Sequence, residues 1–386
     1  MRIAFDHQIF CLQTTGGIAR YFCRLAEQLA GRHEQVGVFA PVYRNQYLTA
    51  LPSGAVHGVG VKAYPPKTAG LVVGLNGLVS RRMIRRWQPD IVHETYFSST
   101  PSAPTGCPVV LTVFDMISEL GTQADRASPV TVALSEPVGG PSRCLDLSRS
   151  EKYAAVSRAD HVICISEQTR QDLIRLFDTP PEKVSVAYLG CDGLPEATAA
   201  DARAVAVQKP FLLYVGLRGG YKNFAMMLRG LACSRRLRHE FDVVAFGGGS
   251  LTTDEQALIR QLGLGDNQVR QIGGSDSDLA HLYQTARALV YPSTYEGFGL
   301  PPIEAMSQRC PVICSDRSSI PEVVGDAGEY FDPTQPESIA AAIERVVFSS
   351  GAIGALVAKG ALRAQQFTWD QCAERHLGVY RSLIDA

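Results

Sequence analysis

Two glutamates lie on either side of a glycine-rich turn in the last third of the chain. Glu296 directly precedes Gly297, and Glu304 follows Glu296 by eight positions. The apolar run 288–292 predicts a buried strand before the turn, and residues 303–306 predict a helix after it. Open α/β sheets bind ligands at such carboxyl ends of strands, where carboxylates accept hydrogen bonds from sugar or ribose hydroxyls. The segment indicates a carbohydrate or nucleotide site; the alternative is a capped turn with two solvated glutamates.

A second glycine turn carries two cations. Residues 216–220 follow a predicted strand at 211–215, and the turn holds Arg218 with Lys222 just beyond it. A planar guanidinium and a point-like ammonium suit the two negative charges of a diphosphate. Cations fixed at this position would stabilise the charge that grows on a departing diphosphate. The alternative is a surface turn with solvated charges.

The segment from Tyr291 to Pro333, YPSTYEGFGLPPIEAMSQRCPVICSDRSSIPEVVGDAGEYFDP, resembles the C-terminal domain of family 4 glycosyltransferases. The resemblance implies that Glu296 contacts the donor sugar, that Glu304 contacts the ribose, and that Arg218 and Lys222 hold the diphosphate. It implies a retaining transfer from a nucleotide diphosphate sugar to a glycan or lipid-linked acceptor, without metal or other cofactor. Similarity to cell-surface mannosyltransferases favours GDP-mannose as the donor.

The same resemblance implies further ligand contacts in both halves of the chain. Asp115 matches the family at a predicted strand end, but Phe114 stands where many members have histidine, so no histidine role transfers. Ser166 is also a plausible helix N-cap. Asp115 and Ser166 are expected to contact the ligand. The other residues expected to contact it are Gly16, Gly17, Arg170, Ile272, Gly297, Phe298, Gly299 and Leu300.

Asp276 and Asp278 raise a competing hypothesis, a transferase that chelates a divalent cation with two aspartates. The helical apolar spacing of residues 279–283 directly after them favours helix capping instead. Two further alternatives share the predicted fold. One is a nucleotide-sugar epimerase, and the other is a carbohydrate-binding protein without catalytic activity. The full dinucleotide fingerprint is missing, which counts against a nicotinamide enzyme.

Strand-like and helical segments alternate along the whole chain, which predicts α/β architecture with parallel sheets wrapped by helices. At 386 residues the chain exceeds the usual size of a single core. The resemblance implies the GT-B fold, with two facing Rossmann-like domains and a cleft between them. We expect an acceptor-side domain at 1–193, a nucleotide-sugar domain at 194–367 beginning with a connection at 194–207, and a helix at 368–386 that returns to the first domain. The predicted strands are 2–5, 36–39, 91–93, 109–113 and 161–165, then 211–215, 243–246, 269–272, 289–291 and 312–314, with an amphipathic helix at 18–30.

Composition describes an ordinary soluble protein, with 46% apolar and 19% charged residues and a net charge of −1. This balance gives no global argument for nucleic acid binding. The chain starts without a secretory pattern and contains no apolar run that would span a bilayer, so we expect a cytoplasmic protein. Ten scattered cysteines predict reduced core thiols. The basic run 81–86 allows peripheral contact with the inner face of a membrane, and the alternative is a solvated helix face.

Overall fold

The computed structural model describes residues 1–121, 149–195, 209–265 and 267–385. The chain divides into two compact units. The first unit contains Met1–Gly190 and Trp369–Ala386, and the second contains Cys191–Thr368. Most of the connection predicted at 194–207 lies outside the described residues.

The first unit is built on a six-stranded sheet in which every neighbouring pair of strands is parallel. Two short strands, β3 and β4, form a separate parallel ribbon. The central strands are buried along their length, as expected for a parallel sheet covered on both faces. In sheet order the strands are β2 (Gln35–Val38), β1 (Arg2–Phe5), β5 (Ile91–Glu94), β6 (Val109–Val113), β7 (His161–Cys164) and β8 (Val184–Val186), and the ribbon is β3 (Val42–Tyr43) with β4 (Val59–Gly60).

Helix α2 (Gly17–Gly31) packs its apolar stripe on this sheet. The predicted helix at 18–30 is confirmed, and its Phe22, Leu25 and Leu29 are fully buried. The described helices are α1 (Gln8–Leu12), α2 (Gly17–Gly31), α3 (Ala69–Trp87), α4 (Ile117–Leu120), α5 (Arg149–Arg158) and α6 (Glu167–Phe177).

The second unit is a six-stranded parallel sheet whose strand order is that of the Rossmann fold. On its central strand β9, Leu212 and Tyr214 join one apolar core while Leu213 and Val215 join the other. This alternation follows from the two-residue period of a strand and fills both faces of the sheet. In sheet order the strands are β11 (Val269–Ile272), β10 (Asp242–Phe246), β9 (Phe211–Val215), β12 (Ala288–Tyr291), β13 (Val312–Ser315) and β14 (Gly328–Phe331).

Helices cover both faces of the second sheet. They are α7 (Phe224–Cys233), α8 (Arg235–Glu240), α9 (Thr253–Gln261), α10 (Asp276–Thr285), α11 (Leu300–Ser307), α12 (Ile320–Val324), α13 (Pro336–Val347) and α14 (Ser350–Ala364). A Cβ added at Gly230 would lie 2.7 Å from the Ile339 side chain, so glycine is needed where α7 and α13 meet. In the part of the chain that the structure describes, no single helix combines the length and apolar character needed to cross a bilayer.

The last helix, α15 (Trp369–Ile384), belongs to the first unit and packs against α2. A buried polar cluster joins it to the sheet. His376 Nε2 is 2.7 Å from the Tyr21 hydroxyl, and His93 Nδ1 is 2.6 Å from the Tyr380 hydroxyl. The two imidazoles stack with centroids 5.8 Å apart. Burial lowers the pKa of His376 to about 4 and lowers that of His93 well below its ordinary value, so both rings are neutral in the fold.

We expect replacement of His376 by glutamine to flatten the pH dependence of stability. Since the folded-state pKa is depressed, unfolding takes up a proton below pH about 6.5, and the stability contributed by neutral His376 declines until about pH 4. The gap in unfolding free energy between wild type and His376→Gln should narrow by up to about 1.4 kcal/mol per pH unit as the pH falls. Urea denaturation between pH 7.5 and 4.5 measures it. His239→Gln, at an exposed position, is the control, and a gap that stays constant with pH would contradict the expectation.

Candidate functional site

The strand order of the second unit reverses between β9 and β12, which lie side by side. The connections that follow these two strands leave the sheet in opposite directions, and this opens a crevice at their carboxyl ends. Residues 216–222 follow β9, and residues 292–299 follow β12. These are the two glycine turns identified in the sequence.

Lys222 and Glu296 form an ion pair across this crevice. The Lys222 Nζ lies 2.8 Å from Glu296 Oε1 and 3.0 Å from Oε2. The ammonium also lies 5.3 Å from the ring centroid of Tyr221 and 5.8 Å from that of Tyr291, within reach of cation–π attraction. The structure thus brings together one predicted cation and one predicted acid in a partly buried position.

Side chains outside the predicted set hold the Glu296 turn in place. The hydroxyls of Ser318 and Ser319 each donate to the Glu296 carbonyl at 2.8 Å, and Ser319 also lies 2.8 Å from the Phe298 carbonyl. Asn223 donates to the Pro292 carbonyl at 3.0 Å, which ties the two turns together. The only sequence signal for the serines is their position just after a buried strand.

Tyr291 is the buried last residue of β12, and its ring lies beside the Lys222 ammonium. Burial, and then the charge of Glu296, raise the pKa of the Tyr291 phenol well above its ordinary value. The phenol therefore remains protonated next to the acid. The sequence predicted Tyr291 only as part of a buried strand and did not indicate that its phenol lies next to Glu296.

The Arg218 side chain has several hydrogen-bond partners within the second unit. Its guanidinium is buried, and it donates to Glu255 at 2.8 Å, to the Gly247 carbonyl at 2.9 Å, and to the carbonyls of Gly249 and Ser250 at 2.9 Å. Partial burial raises the pKa of Glu255, but hydrogen bonding to Arg218 and the helix cap lowers it more, to a value below the ordinary one. These contacts make Arg218 a support for the turn 247–250, and its contact with a diphosphate stays a prediction.

Glu304 is the fifth residue of α11. The helix begins directly after Gly299, whose backbone is in the left-handed region at φ 116°. The Tyr283 hydroxyl donates to Glu304 Oε2 at 3.2 Å. Burial, followed by the charge of Glu304, raises the pKa of Tyr283 well above its ordinary value, so the hydroxyl stays a donor. Leu300 is the first residue of the helix, and Gly297 belongs to the preceding turn.

Two other predicted contacts in the second unit have defined surroundings. The Phe298 ring is buried, with its centroid 5.6 Å from that of Phe367. Only the backbone of Phe298 is then suited to a ligand. Ile272 is the half-buried last residue of edge strand β11.

In the first unit, three predicted residues lie in turns that follow strands or precede helices. Gly17 begins α2 and Gly16 precedes it, and the Gln13 side chain already accepts from the Ala19 amide there at 3.0 Å. Asp115 follows β6 and accepts from the Ile117 amide at 3.2 Å.

Ser166 and Arg170 both form hydrogen bonds around the start of α6. Ser166 is fully buried and caps α6, accepting from the Thr169 amide at 3.1 Å, which confirms the predicted N-cap. Arg170 donates to the Val184 carbonyl at 3.1 Å and to Glu167 at 3.0 Å. The ligand contacts expected for both residues stay predictions.

Asp278 is engaged in a helix cap. Its Oδ2 accepts from the Ser275 amide at 2.7 Å, and its own amide donates to the Ser275 hydroxyl, which is a complete capping box at the start of α10. Asp276 lies in the same first turn. Among the described residues, no three His, Cys, Asp or Glu side chains are grouped as metal ligands.

Comparison with known families matches most of the chain. Residues 15–192 match the model of Glycosyltransferase Family 4, and residues 197–351 match that of Glycosyl transferases group 1. The fold is similar to that of Anabaena Alr3699/HepE, solved with UDP and glucose, with a TM-score of 0.69, 17% identity, and coverage of 99% of this chain and 100% of that one. The two α/β units have the GT-B fold. The chain belongs to the glycosyltransferases that combine these two family domains.

Two curated relatives illustrate the range of activities in the family. The O-antigen chain mannosyltransferase B of Escherichia coli is 32% identical over 241 residues, covering 60% of this chain and 63% of that protein. A D-inositol 3-phosphate glycosyltransferase of Kineococcus radiotolerans is 26% identical over 410 residues, covering 96% and 91%.

We expect Arg218→Lys to lower the free energy of unfolding by about 2–3 kcal/mol. Lysine keeps the charge but cannot replace the several hydrogen bonds to the turn 247–250 and Glu255. Arg235→Lys, at an exposed position of α8, should change stability by less than about 0.5 kcal/mol. Urea denaturation measures both. If Arg218→Lys unfolds like wild type but binds nucleoside diphosphate more weakly, Arg218 is a ligand contact and not a support for the turn 247–250.

Proposed function

We propose that the protein is a retaining glycosyltransferase in surface polysaccharide biosynthesis. It moves a hexose from a nucleotide diphosphate sugar to a glycan or lipid-linked oligosaccharide. The observation that carries this proposal is the Lys222–Glu296 pair at the point where the strand order reverses. An opposite-charge pair at this position supplies a partner for a phosphate and a partner for a sugar hydroxyl within a few ångströms.

In the proposed reaction, Lys222 binds the diphosphate as it leaves the sugar. Its Nζ is already held by Glu296 and lies over two aromatic rings, so the charge is positioned before the donor arrives. Preorganised charge of this kind stabilises a transition state in which the leaving group becomes more negative. The amides near Gly299 and Leu300, at the start of α11, add hydrogen-bond donors for the phosphates.

The two glutamates orient the donor. Glu296 accepts a hydrogen bond from a sugar hydroxyl, and Glu304 accepts from the ribose while Tyr283 holds its other side. The acceptor hydroxyl attacks the anomeric carbon from the face that the diphosphate leaves, the bond to the phosphate oxygen breaks, and that oxygen takes the acceptor proton. This route needs neither a dedicated base nor a metal ion.

GDP-mannose is the proposed donor. Its support is the relative named as an O-antigen chain mannosyltransferase, at 32% identity. The long match to a D-inositol 3-phosphate glycosyltransferase favours a second candidate, transfer from another nucleotide sugar to a small phosphorylated acceptor. A cytoplasmic location, expected from the amino-acid sequence, belongs to the same proposal.

The decisive experiment incubates the purified chain with radiolabelled GDP-mannose, UDP-glucose or a dTDP-sugar, each with a lipid-linked oligosaccharide, with D-inositol 3-phosphate, or without acceptor. We expect labelled oligosaccharide from GDP-mannose, with an anomeric configuration by NMR that matches the donor, and the same rate with a chelator present. Epimerised donor in the absence of acceptor, or donor binding without turnover on any acceptor, would reject the transferase. Loss of activity with chelator and its return with manganese would establish the metal-dependent alternative.

We expect Lys222→Gln to reduce kcat/KM by roughly a hundredfold, because the charge that faces the departing diphosphate is removed. Glu304→Gln should raise the KM for the donor about fivefold with little change in kcat, because a charge-assisted hydrogen bond becomes a neutral one. Steady-state kinetics with saturating acceptor measures both effects.

Lys209→Gln is the matched control for Lys222→Gln. Lys209 is exposed and precedes the amino end of β9, whereas Lys222 follows its carboxyl end. It should react like wild type. Thermal melting checks that all three variants are folded. A folded Lys222→Gln variant with wild-type kinetics would remove Lys222 from the site.

A further inference from the structure

Charge is distributed unevenly along the first unit. The 55 residues from 35 to 89 contain no aspartate or glutamate but seven Lys and Arg residues. The other 30 of the 37 basic residues lie outside this stretch, and so do all 38 acidic residues. A chain with a net charge of −1 thus carries one strongly positive segment.

Helix α3 lies at the end of this segment, and its polar side faces inward. Asn76 accepts from the Val42 amide at 2.8 Å and donates to the Val42 carbonyl at 2.9 Å. Ser80 donates to the Phe39 carbonyl at 2.8 Å. Together with Ile84 these are the buried residues of α3. The helix therefore satisfies backbone groups of the neighbouring strands with side chains that would ordinarily face water.

The opposite side of α3 exposes a stripe of leucines. Leu71, Leu75 and Leu78 are 77%, 58% and 57% exposed. Their spacing of four and three residues places them on one face, since an α-helix turns once in 3.6 residues. Large apolar side chains grouped on a surface mark an interaction site more often than isolated ones do.

Three exposed arginines continue the same stripe toward the C-terminal end of the helix. Arg82, Arg85 and Arg86 fall with the three leucines inside an arc of about 100° that extends for roughly 22 Å. Within the residues that the structure describes, no salt bridge involves these three arginines.

We propose that this face of α3, defined by the three leucines and three arginines, docks on an anionic phospholipid bilayer. The leucines enter the boundary between headgroups and acyl chains, and the guanidiniums pair with lipid phosphates. The three arginines favour a negatively charged partner. The three leucines favour a lipid over a nucleic acid, because only the lipid offers an apolar layer in which to bury them. The helix lies in the plane of the interface, because one side remains bonded to the strands of its own unit.

The docking surface is independent of the proposed transfer reaction, so binding is measured without donor or acceptor. The full chain is sedimented with vesicles of phosphatidylcholine alone and of phosphatidylcholine mixed with phosphatidylglycerol. We expect binding to the mixed vesicles only, weakened by high salt. The combined change Arg82→Gln, Arg85→Gln and Arg86→Gln should weaken partition about a hundredfold, since each surface cation contributes roughly fivefold. The combined change Leu71→Gln, Leu75→Gln and Leu78→Gln should weaken it at least about tenfold.

A matched control removes three exposed arginines from the second unit, Arg229→Gln, Arg235→Gln and Arg238→Gln. It changes net charge equally and should bind like wild type, and circular dichroism checks that each variant is folded. Equal loss in the control would reduce the effect to net charge and overturn the docking surface. Binding to neutral vesicles as strong as to anionic ones would also overturn it. A third result would overturn it as well. If the triple leucine variant binds vesicles like wild type and a DNA duplex displaces the protein from vesicles, the face is a nucleic-acid surface.

Discussion

The parallel pairing of β9 with β12 is the constraint on which the candidate site depends. Lys222 and Glu296 are 74 positions apart in the chain, yet they form an ion pair because their turns begin at the adjacent carboxyl ends of these two paired strands. Alternate residues of β9 fill apolar cores on both faces of the sheet, which fixes the register of the central strands. A shift of one residue would move each apolar side chain to the other face and separate the two charges.

Most side chains around this pair hold backbone rather than face the crevice. Ser318 and Ser319 fix the carbonyl of Glu296, and Arg218 fixes the turn 247–250. Turns that follow parallel strands have few backbone partners of their own, so side chains must satisfy their carbonyl groups. A charged group can be positioned within a few tenths of an ångström only when its own turn is held in this way.

The sequence predicted the buried central strands and two of the four edge strands, β2 and β11, but it missed the edge strands β8 and β14. The strand at 211–215 was predicted with the observed bounds because five consecutive apolar residues are buried on both faces. The edge strands β8 and β14 gave no such signal, since most of their residues are only half-buried. Lys222 and Arg218 show the same limit within the site. Both are cations beside one glycine turn, and only the path of the distant loop 247–250 decides which of them is enclosed by carbonyls.

Helix α3 shows why an apolar stripe alone does not identify the buried side of a helix. Leu71, Leu75 and Leu78 have the spacing of an ordinary core face. The Val42 amide and the Phe39 carbonyl need hydrogen-bond partners at this position, and burying such groups without partners costs more than exposing leucines to water. Asn76 and Ser80 satisfy those groups and therefore turn inward. The leucines are left outside beside the arginines, and an anionic lipid surface is the environment that accepts both kinds of side chain at once.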